Sequence, residues 1–250
     1  MSSSEKPGKP VSVKASGPTS AAQTHDDRRI IDSWHRNSEP WTEAVRKGEI
    51  ASRVLVTNRA IIEAVLERSP RRVLDIGCGE GWLARELAAH GIDVRGVDIV
   101  ADLIGRAQAG GGGRFDVVSH EAIADGAIEE RFDICICNFS LLGDTSVTRL
   151  FAAIPSLLES GGAFIVQTIH PLMGCGEQPY RDGWREGSWT GFSSDFTDPP
   201  PWYFRTLETW VKMYADAGLH LVELREPVHP ASGKPASVIM IGVRLDIDRR

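Results

Sequence analysis

The alternation of apolar and polar positions divides the chain into three stretches. The first, through about residue 26, is rich in Ser, Pro, Lys and Ala with almost no large apolar side chains. It buries too little surface to offset chain entropy, which predicts a disordered tail over 1–26. From Ile30 to Leu66 the apolar positions follow a helical period: Trp34 and Trp41 flank a polar stretch, and Ile61, Ile62, Val65 and Leu66 share one face before Ser69-Pro70. Residues 27–69 therefore read as an N-terminal helical cap.

From residue 70 onward, β-rich runs alternate with helical ones. The runs are Arg72 to Ile76, Asp93 to Val97, Arg114 to Ser119, Phe132 to Cys137 and Ala163 to Ile169. Between them lie helical patterns over Gly81 to His90, Ala101 to Ala109 and Ser146 to Leu158, the last reading as stopped by Gly161-Gly162, while Gly110 to Gly113 reads as a flexible connector. This rhythm predicts an α/β, doubly wound, mostly parallel sheet with helices on both faces. After Ile169 it breaks for some 35 residues rich in Trp, Gly and Pro, an insertion over 170–205 of a length that is more often functional than accidental. A helix over Thr206 to Ala217 and two strands, Leu219 to Leu224 and Ser237 to Val243, complete a seven-stranded sheet.

Composition narrows the function classes. The 250 residues are 42% hydrophobic, enough for one sizeable α/β core, and a formal charge of -6 offers polyphosphate no general attraction. Nucleic acid is not an expected partner. The four cysteines, Cys78, Cys135, Cys137 and Cys175, form no C-x-x-C pair, so no metal site or disulfide framework is expected and a reducing cytoplasm fits. No apolar run approaches the ~20 residues of a membrane span, so a soluble protein is expected.

The chemistry concentrates at the end of the first run. Val73-Leu74-Asp75-Ile76 leads into Gly77-Cys78-Gly79-Glu80-Gly81 and then a helix. A glycine-rich turn between strand and helix brings backbone close to a ligand and aims free amides at it. A dinucleotide fingerprint needs a third glycine where this chain has Trp82, whose bulk argues against it. Asp75, two positions before the first glycine, suits an ammonium better than a pyrophosphate. Asp98 closes the second run 19 positions after Gly79, where a carboxylate can accept both ribose hydroxyls. Cys78 reads as a small loop residue without chemistry of its own.

The segment Leu74-Asp75-Ile76-Gly77-Cys78-Gly79-Glu80-Gly81 with Val97-Asp98 resembles the first two motifs of class I S-adenosylmethionine-dependent methyltransferases. The likeness extends to Phe132 through Leu142, similar to that family's fourth strand, and to Leu158 through Gly162, similar to the turn before its fifth. It implies a Rossmann-like methyltransferase fold over 70–250 with S-adenosylmethionine as cofactor. It further implies that the Gly77, Cys78 and Gly79 backbone lies against the methionine moiety, Asp98 on the ribose and Ile99 on adenine. His120, Glu121 and Ala122 would reach the adenine edge, though the family often has Asp and a small residue there, and Asn138, Phe139 and Ser140 would lie under the methionine part. The lead-in resembles a small-molecule methyltransferase cap, with Trp41 and Arg53 as the residues closing over the cofactor.

The methyl acceptor must be read from weaker signals. Asp198-Pro199-Pro200-Pro201-Trp202 looks like the signature of enzymes methylating base or glutamine amino groups, but that signature belongs at the end of the fourth strand, where Asn138-Phe139-Ser140-Leu141 stands. His170 follows the fifth strand, on the ligand side of an open sheet, and is the candidate general base, with a strand-end histidine bonded to backbone as the equal alternative. Trp184, Trp189, Trp202 and Tyr203 read either as an aromatic wall for a cation or flat ring or as anchors of the insertion. Arg205 and His229 fall in loops near the expected mouth; Arg205 suits a substrate carboxylate or a surface ion pair. Trp189-x-Gly191, Tyr203-x-Arg205-Thr206, Asp216-Ala217-Gly218 and Glu226-Pro227 are similar to bacterial small-molecule methyltransferases. The expected activity is methyl transfer to an oxygen or nitrogen of a small metabolite, with a homodimer among the assemblies considered. Two other classes stay open: a cofactor-sensing module or partner-dependent subunit without catalysis, and an NAD oxidoreductase.

Overall fold

The computed structural model describes residues 27–245; the tail expected over 1–26 lies outside them. In chain order the elements are α1 (Asp27–Arg46), a π-helical turn (Arg53–Thr57), α2 (Asn58–Leu66), β1 (Arg72–Ile76), α3 (Trp82–Ala89), β2 (Asp93–Asp98), α4 (Ala101–Gly110), β3 (Arg114–Val117), α5 (His120–Ala124), β4 (Phe132–Asn138), α6 (Thr145–Leu157), β5 (Leu158–Thr168), α7 (Pro171–Gly174), β6 (Gly183–Arg185), β7 (Trp202–Phe204), α8 (Leu207–Asp216), β8 (His220–Arg225) and β9 (Val238–Val243). Seven strands form one sheet in the order β3-β2-β1-β4-β5-β9-β8. The first five are parallel, and β9 runs antiparallel to both β5 and β8.

The central strands are apolar on both faces because helices cover both. On one face Ile61, Ala64 and Val65 of α2, Leu83, Ala84 and Leu87 of α3, and Ile104 and Ala107 of α4 pack against Val73, Ile134, Ile136, Ile165, Ile239 and Ile241. On the other, Ile123, Leu150, Phe151, Ile154, Trp210 and Tyr214 from α5, α6 and α8 pack against Leu74, Ile76, Cys135, Cys137, Phe164, Val166 and Met240. A register shift between Phe132 and Ile134 lets Phe132 join the second face while Ile134 and Ile136 keep to the first.

Two local readings are corrected. Gly161-Gly162 does not stop a helix: α6 ends at Leu157 and the glycines lie within β5, with Gly161 at φ 73°. Gly110 to Gly113 is not merely a flexible connector either, since a Cβ at Gly112 would sit 2.8 Å from Arg85 Cα and one at Gly113 2.8 Å from the Val94 carbonyl oxygen. Within the insertion, β6 and β7 pair as a two-stranded antiparallel ribbon.

The strand order reverses between β1 and β4, and a crevice opens beyond the carboxyl ends of strands flanking such a point. Two pieces roof it, α1 and the loop from Ser188 to Pro200. The buried face of α1 carries mostly small polar residues, Ser33, Asn37, Ser38 and Thr42, because it meets loop backbone rather than a hydrophobic core. The Asn37 amide donates to the Thr197 carbonyl at 2.7 Å and accepts from Thr197 N–H at 2.9 Å. Ser33 donates to the Asp198 carbonyl, and Arg36 pairs with the Asp198 carboxylate. At its start, Asp27 accepts from the amides of Asp144 and Ser146, capping α6 from a distant part of the chain.

Candidate functional site

A cavity of about 450 Å³ fills this crevice, a volume typical of a small-molecule site. Gly77, Gly79, Asp98, Ile99, His120, Glu121, Asn138, Phe139, Ser140, Trp41 and Arg53 all line it, so most residues named as cofactor contacts converge although they come from separate elements. Asp75, Cys78 and Ala122 do not line it. Asp75 and Cys78 are buried behind the glycine turn, and Ala122 uses its amide on the Ser119 hydroxyl that caps α5.

The glycine turn presents close approach rather than free donors. Gly77 N–H and Cys78 N–H both donate to the Val97 carbonyl, at 2.7 and 3.0 Å, and Gly79 N–H donates to Asp98 Oδ2 at 3.0 Å. The amides that the motif was expected to aim at a ligand are thus consumed within the protein. Backbone geometry carries the site instead: Gly79 has φ 57°, and a Cβ there would meet only Trp41 Nε1, at 3.8 Å, so the space in front of it is open. Asp98 also accepts from Val100 N–H at 2.9 Å. Burial pushes its carboxyl upward while the backbone donors pull it down.

Asp75 is buried and its carboxyl is pushed up to about 7, first by burial, then by the charge of Asp98, with Arg53 opposing both. Arg53 is itself buried. Its guanidinium lies 4.8 Å from the Trp82 ring centroid and 5.6 Å from that of Trp41, and desolvation lowers its pKa to about 10. Trp82, the residue that breaks the dinucleotide pattern, is therefore the platform for a cation at the cavity wall. Arg53 Nε donates to Asn58 at 3.2 Å, whereas its buried Nη2 has no partner among the described residues.

Glu80 was not singled out by its position in the glycine turn. Its fully buried carboxylate accepts from Arg85 at 2.6 and 2.7 Å and from Arg46 Nε at 2.7 Å. Arg46 belongs to α1, so this cluster fastens the roof to the turn it covers. Trp34 and Phe192 also line the cavity without having been expected as contacts. Trp34 meets Trp41 and Trp189 edge-on at 5.0 and 5.9 Å, and Phe192 packs on Trp189 and stacks against Trp41 at 5.3 and 6.4 Å. Only the shared helical cap and aromatic-rich insertion hint at this meeting in the sequence.

Of the aromatic residues read as a possible acceptor wall, Trp189 and Trp202 line the cavity. Trp184 pairs with Tyr203 across the β6–β7 ribbon at 5.5 Å, in the anchoring role, and neither lines the main cavity. His229 sits in the turn before β9, where its Nδ1 accepts from Ala231 N–H, away from the cavity. Arg205 is buried behind the cavity wall. Asp198 of the proline run binds α1 instead of offering itself to a ligand.

His170 is not placed as a base. It is 2% exposed, its Nδ1 accepts from Leu172 N–H at 3.2 Å as the cap of α7, and its Nε2 bonds Glu226 Oε1 at 2.7 Å. Both ring nitrogens are engaged outside the cavity. His170→Gln is accordingly expected to lower folding stability by about 1–2 kcal/mol while leaving turnover per folded molecule unchanged. A turnover loss at full folding, measured beside a denaturant titration, would restore the catalytic assignment.

Among the described residues no cluster of three or more His, Cys, Asp or Glu side chains is arranged to hold a metal, and no helix is long and apolar enough to cross a membrane.

A family model described as a methyltransferase domain matches residues 49–224. The ubiquinone biosynthesis O-methyltransferase of Burkholderia ambifaria is 29% identical over 153 residues, 60% of this chain and 64% of that protein. The chain thus spans just under two thirds of the length of the curated relatives it matches first. Among solved structures, an S-adenosylmethionine-dependent methyltransferase from Mesorhizobium loti aligns with TM-score 0.56 and 21% identity over 74% of this chain and 96% of that one. The Burkholderia thailandensis 1,6-didemethyltoxoflavin-N1-methyltransferase, solved with 1,6-didemethyltoxoflavin and S-adenosylhomocysteine, aligns with TM-score 0.56 and 18% identity over 93% and 94%. Both structural likenesses concern the fold.

Proposed function

The chain belongs to the methyltransferase-domain family, and from that premise we propose that it transfers a methyl group from S-adenosylmethionine to an oxygen or nitrogen of a small metabolite. The observation that carries this reading is one cavity joining the Gly77–Gly79 turn and Asp98 to an aromatic roof. The residues present fit the cofactor. The open space before Gly79 accommodates its methionine part, Asp98 retains lone pairs for ribose hydroxyls, and Arg53 Nη2, without a partner among the described residues, suits its carboxylate. When bound, S-adenosylmethionine supplies an electrophilic methyl group.

The titratable side chains lining the cavity are Asp27, Arg53, Asp98, His120 and Glu121. His120 is held below its usual pKa by burial, which favours a neutral imidazole. It adjoins Ser119 and Glu121 beyond β3, the region assigned to adenine by resemblance. On the side of the insertion the lining includes Leu142, Ser146, Ile169, Ser188, Trp189, Phe192 and Trp202, none of which acts as a base near neutral pH. The acceptor in this reading arrives already nucleophilic, as an amine free base or an ionised hydroxyl. The protein contributes alignment and exclusion of water, effects large enough to account for much of a methyl-transfer acceleration.

Isothermal titration of the full chain with S-adenosylhomocysteine tests the proposal; absence of binding overturns it. The same titration carries a pH prediction. Asp75 loses its proton in the folded protein only as pH rises through about 7, adding negative charge behind the turn. Affinity for this cationic-ammonium ligand is expected to rise about three- to tenfold between roughly pH 6 and 8, with proton release on binding. In Asp75→Asn that rise disappears; a slope that persists in the variant assigns it to another group.

A further inference from the structure

A second chamber of about 70 Å³ adjoins the main cavity. Phe139, Leu142, Ile169 and Trp202 line both, so these four side chains form the partition, and beyond them the small chamber is bounded by Tyr203 and Arg205. The volume corresponds to roughly two water molecules, the size of a carboxylate.

Arg205 is an unusual residue to find there. Its side chain is 2% exposed, and its guanidinium lies 4.8 Å from the Tyr203 ring centroid and 5.3 Å from that of Trp210. Nη2 donates to the Asp144 carbonyl at 3.0 Å and to its carboxylate at 3.4 Å, but Nη1 is buried without a partner among the described residues. The Asp144 carboxylate is 41% exposed, so solvent screens much of its compensation. A buried cation is costly, and the Asp144 and ring contacts offset only part of that cost while Nη1 is left unmet among the described residues. The partition carries strain as well. Phe139 is held at φ 55°, a left-handed conformation unfavourable for an aromatic residue, by its N–H bond to the Gln167 carbonyl at 2.8 Å. Strain of this kind and an unsatisfied cation meet at one wall of the site.

We propose that this chamber is the acid-binding subsite for the methyl acceptor, which is a small aromatic or conjugated carboxylate whose acid group passes the Phe139–Trp202 partition to meet Arg205 Nη1. The inference rests on the methyltransferase reading above. Tyr203 lines the same chamber, and burial pushes its hydroxyl upward, so it stays protonated as a second donor. The ring of such an acceptor then lies in the main cavity among Trp189, Phe192 and Trp202, with its methyl-accepting atom toward the glycine turn.

The test uses the full chain and two probes that differ only in the acid, 3,4-dihydroxybenzoate and 3,4-dihydroxybenzamide. Binding of S-adenosylhomocysteine is measured first by calorimetry; its failure refutes the methyltransferase reading itself. With that ligand bound, the acid is expected to bind about tenfold or more tightly than the amide, and Arg205→Gln is expected to erase the preference. Equal binding of the two, no binding of the acid, or a preference surviving in Arg205→Gln overturns the subsite alone. If Arg205→Gln fails to fold by circular dichroism, crystals of the unaltered chain with 4-bromobenzoate decide. A carboxylate on Arg205 Nη1 supports the proposal, and a carboxylate elsewhere or water alone in the chamber refutes it.

Discussion

Replacing Asp98 by alanine is expected to weaken S-adenosylhomocysteine binding about ten- to a hundredfold, the value of one lost charge-assisted hydrogen bond. The carboxylate faces the cavity from the end of β2 and has two tasks. It accepts from Gly79 N–H and Val100 N–H, holding the turn against the strand, and its remaining lone pairs face the site where ribose hydroxyls would lie. Asp98→Asn keeps one acceptor oxygen for the turn and should lose less. Calorimetry on both variants, beside a thermal melt of each, separates ligand contact from loop support. Unchanged affinity in Asp98→Ala would sink the ribose assignment.

Gly77→Ala is expected to be more damaging to the protein itself. The added Cβ would stand 2.3 Å from Ser140 Cβ and 2.8 Å from its hydroxyl, at a residue whose φ of 74° already disfavours any side chain. Ser140 has little room to move, since its hydroxyl donates to the Ile76 carbonyl at 2.7 Å. Left-handed strain and overpacking together cost roughly 2–5 kcal/mol, a large share of a domain's stability. The denaturant midpoint should fall accordingly, with loss of cofactor binding at moderate temperature. Gly77→Ala combined with Ser140→Gly removes the clash and leaves only the backbone strain, so partial recovery is expected. A double variant no more stable than the single one would mean that the clash is not the cause. This contact lies at the β1–β4 switch point, which explains why a glycine is needed there beyond any ligand.

The roof joins two parts of the chain that have no common pattern. In α1 the buried stripe includes Ser33, Asn37 and Thr42, residues a hydrophobic period assigns to solvent, and Ser33 and Asn37 find their partners in carbonyls and an amide more than 150 positions away. Trp34 and Trp41 are legible as large side chains on a helix, yet their contacts with Trp189 and Phe192 depend on where the insertion folds back. His170 shows the same limit from the other side. Its position after β5 suggests proximity to the reacting centre, but side-chain direction and the presence of Glu226 turn it into a cap.

The sequence by itself determined the layered architecture, because strands covered on both faces must be apolar throughout and helices covered on one face must repeat every three to four residues. It also determined the glycine turn and Asp98, since a tight strand-to-helix turn requires residues tolerating positive φ and a carboxylate at the neighbouring strand end lies beside it. Tertiary structure alone decided which polar groups remain available. The turn amides are consumed by Val97 and Asp98, Glu80 is enclosed by two arginines, and Arg53 and Arg205 each keep one nitrogen without a partner among the described residues. Hydrogen-bond satisfaction is settled by groups distant along the chain that meet only when it folds, and no local pattern encodes that meeting.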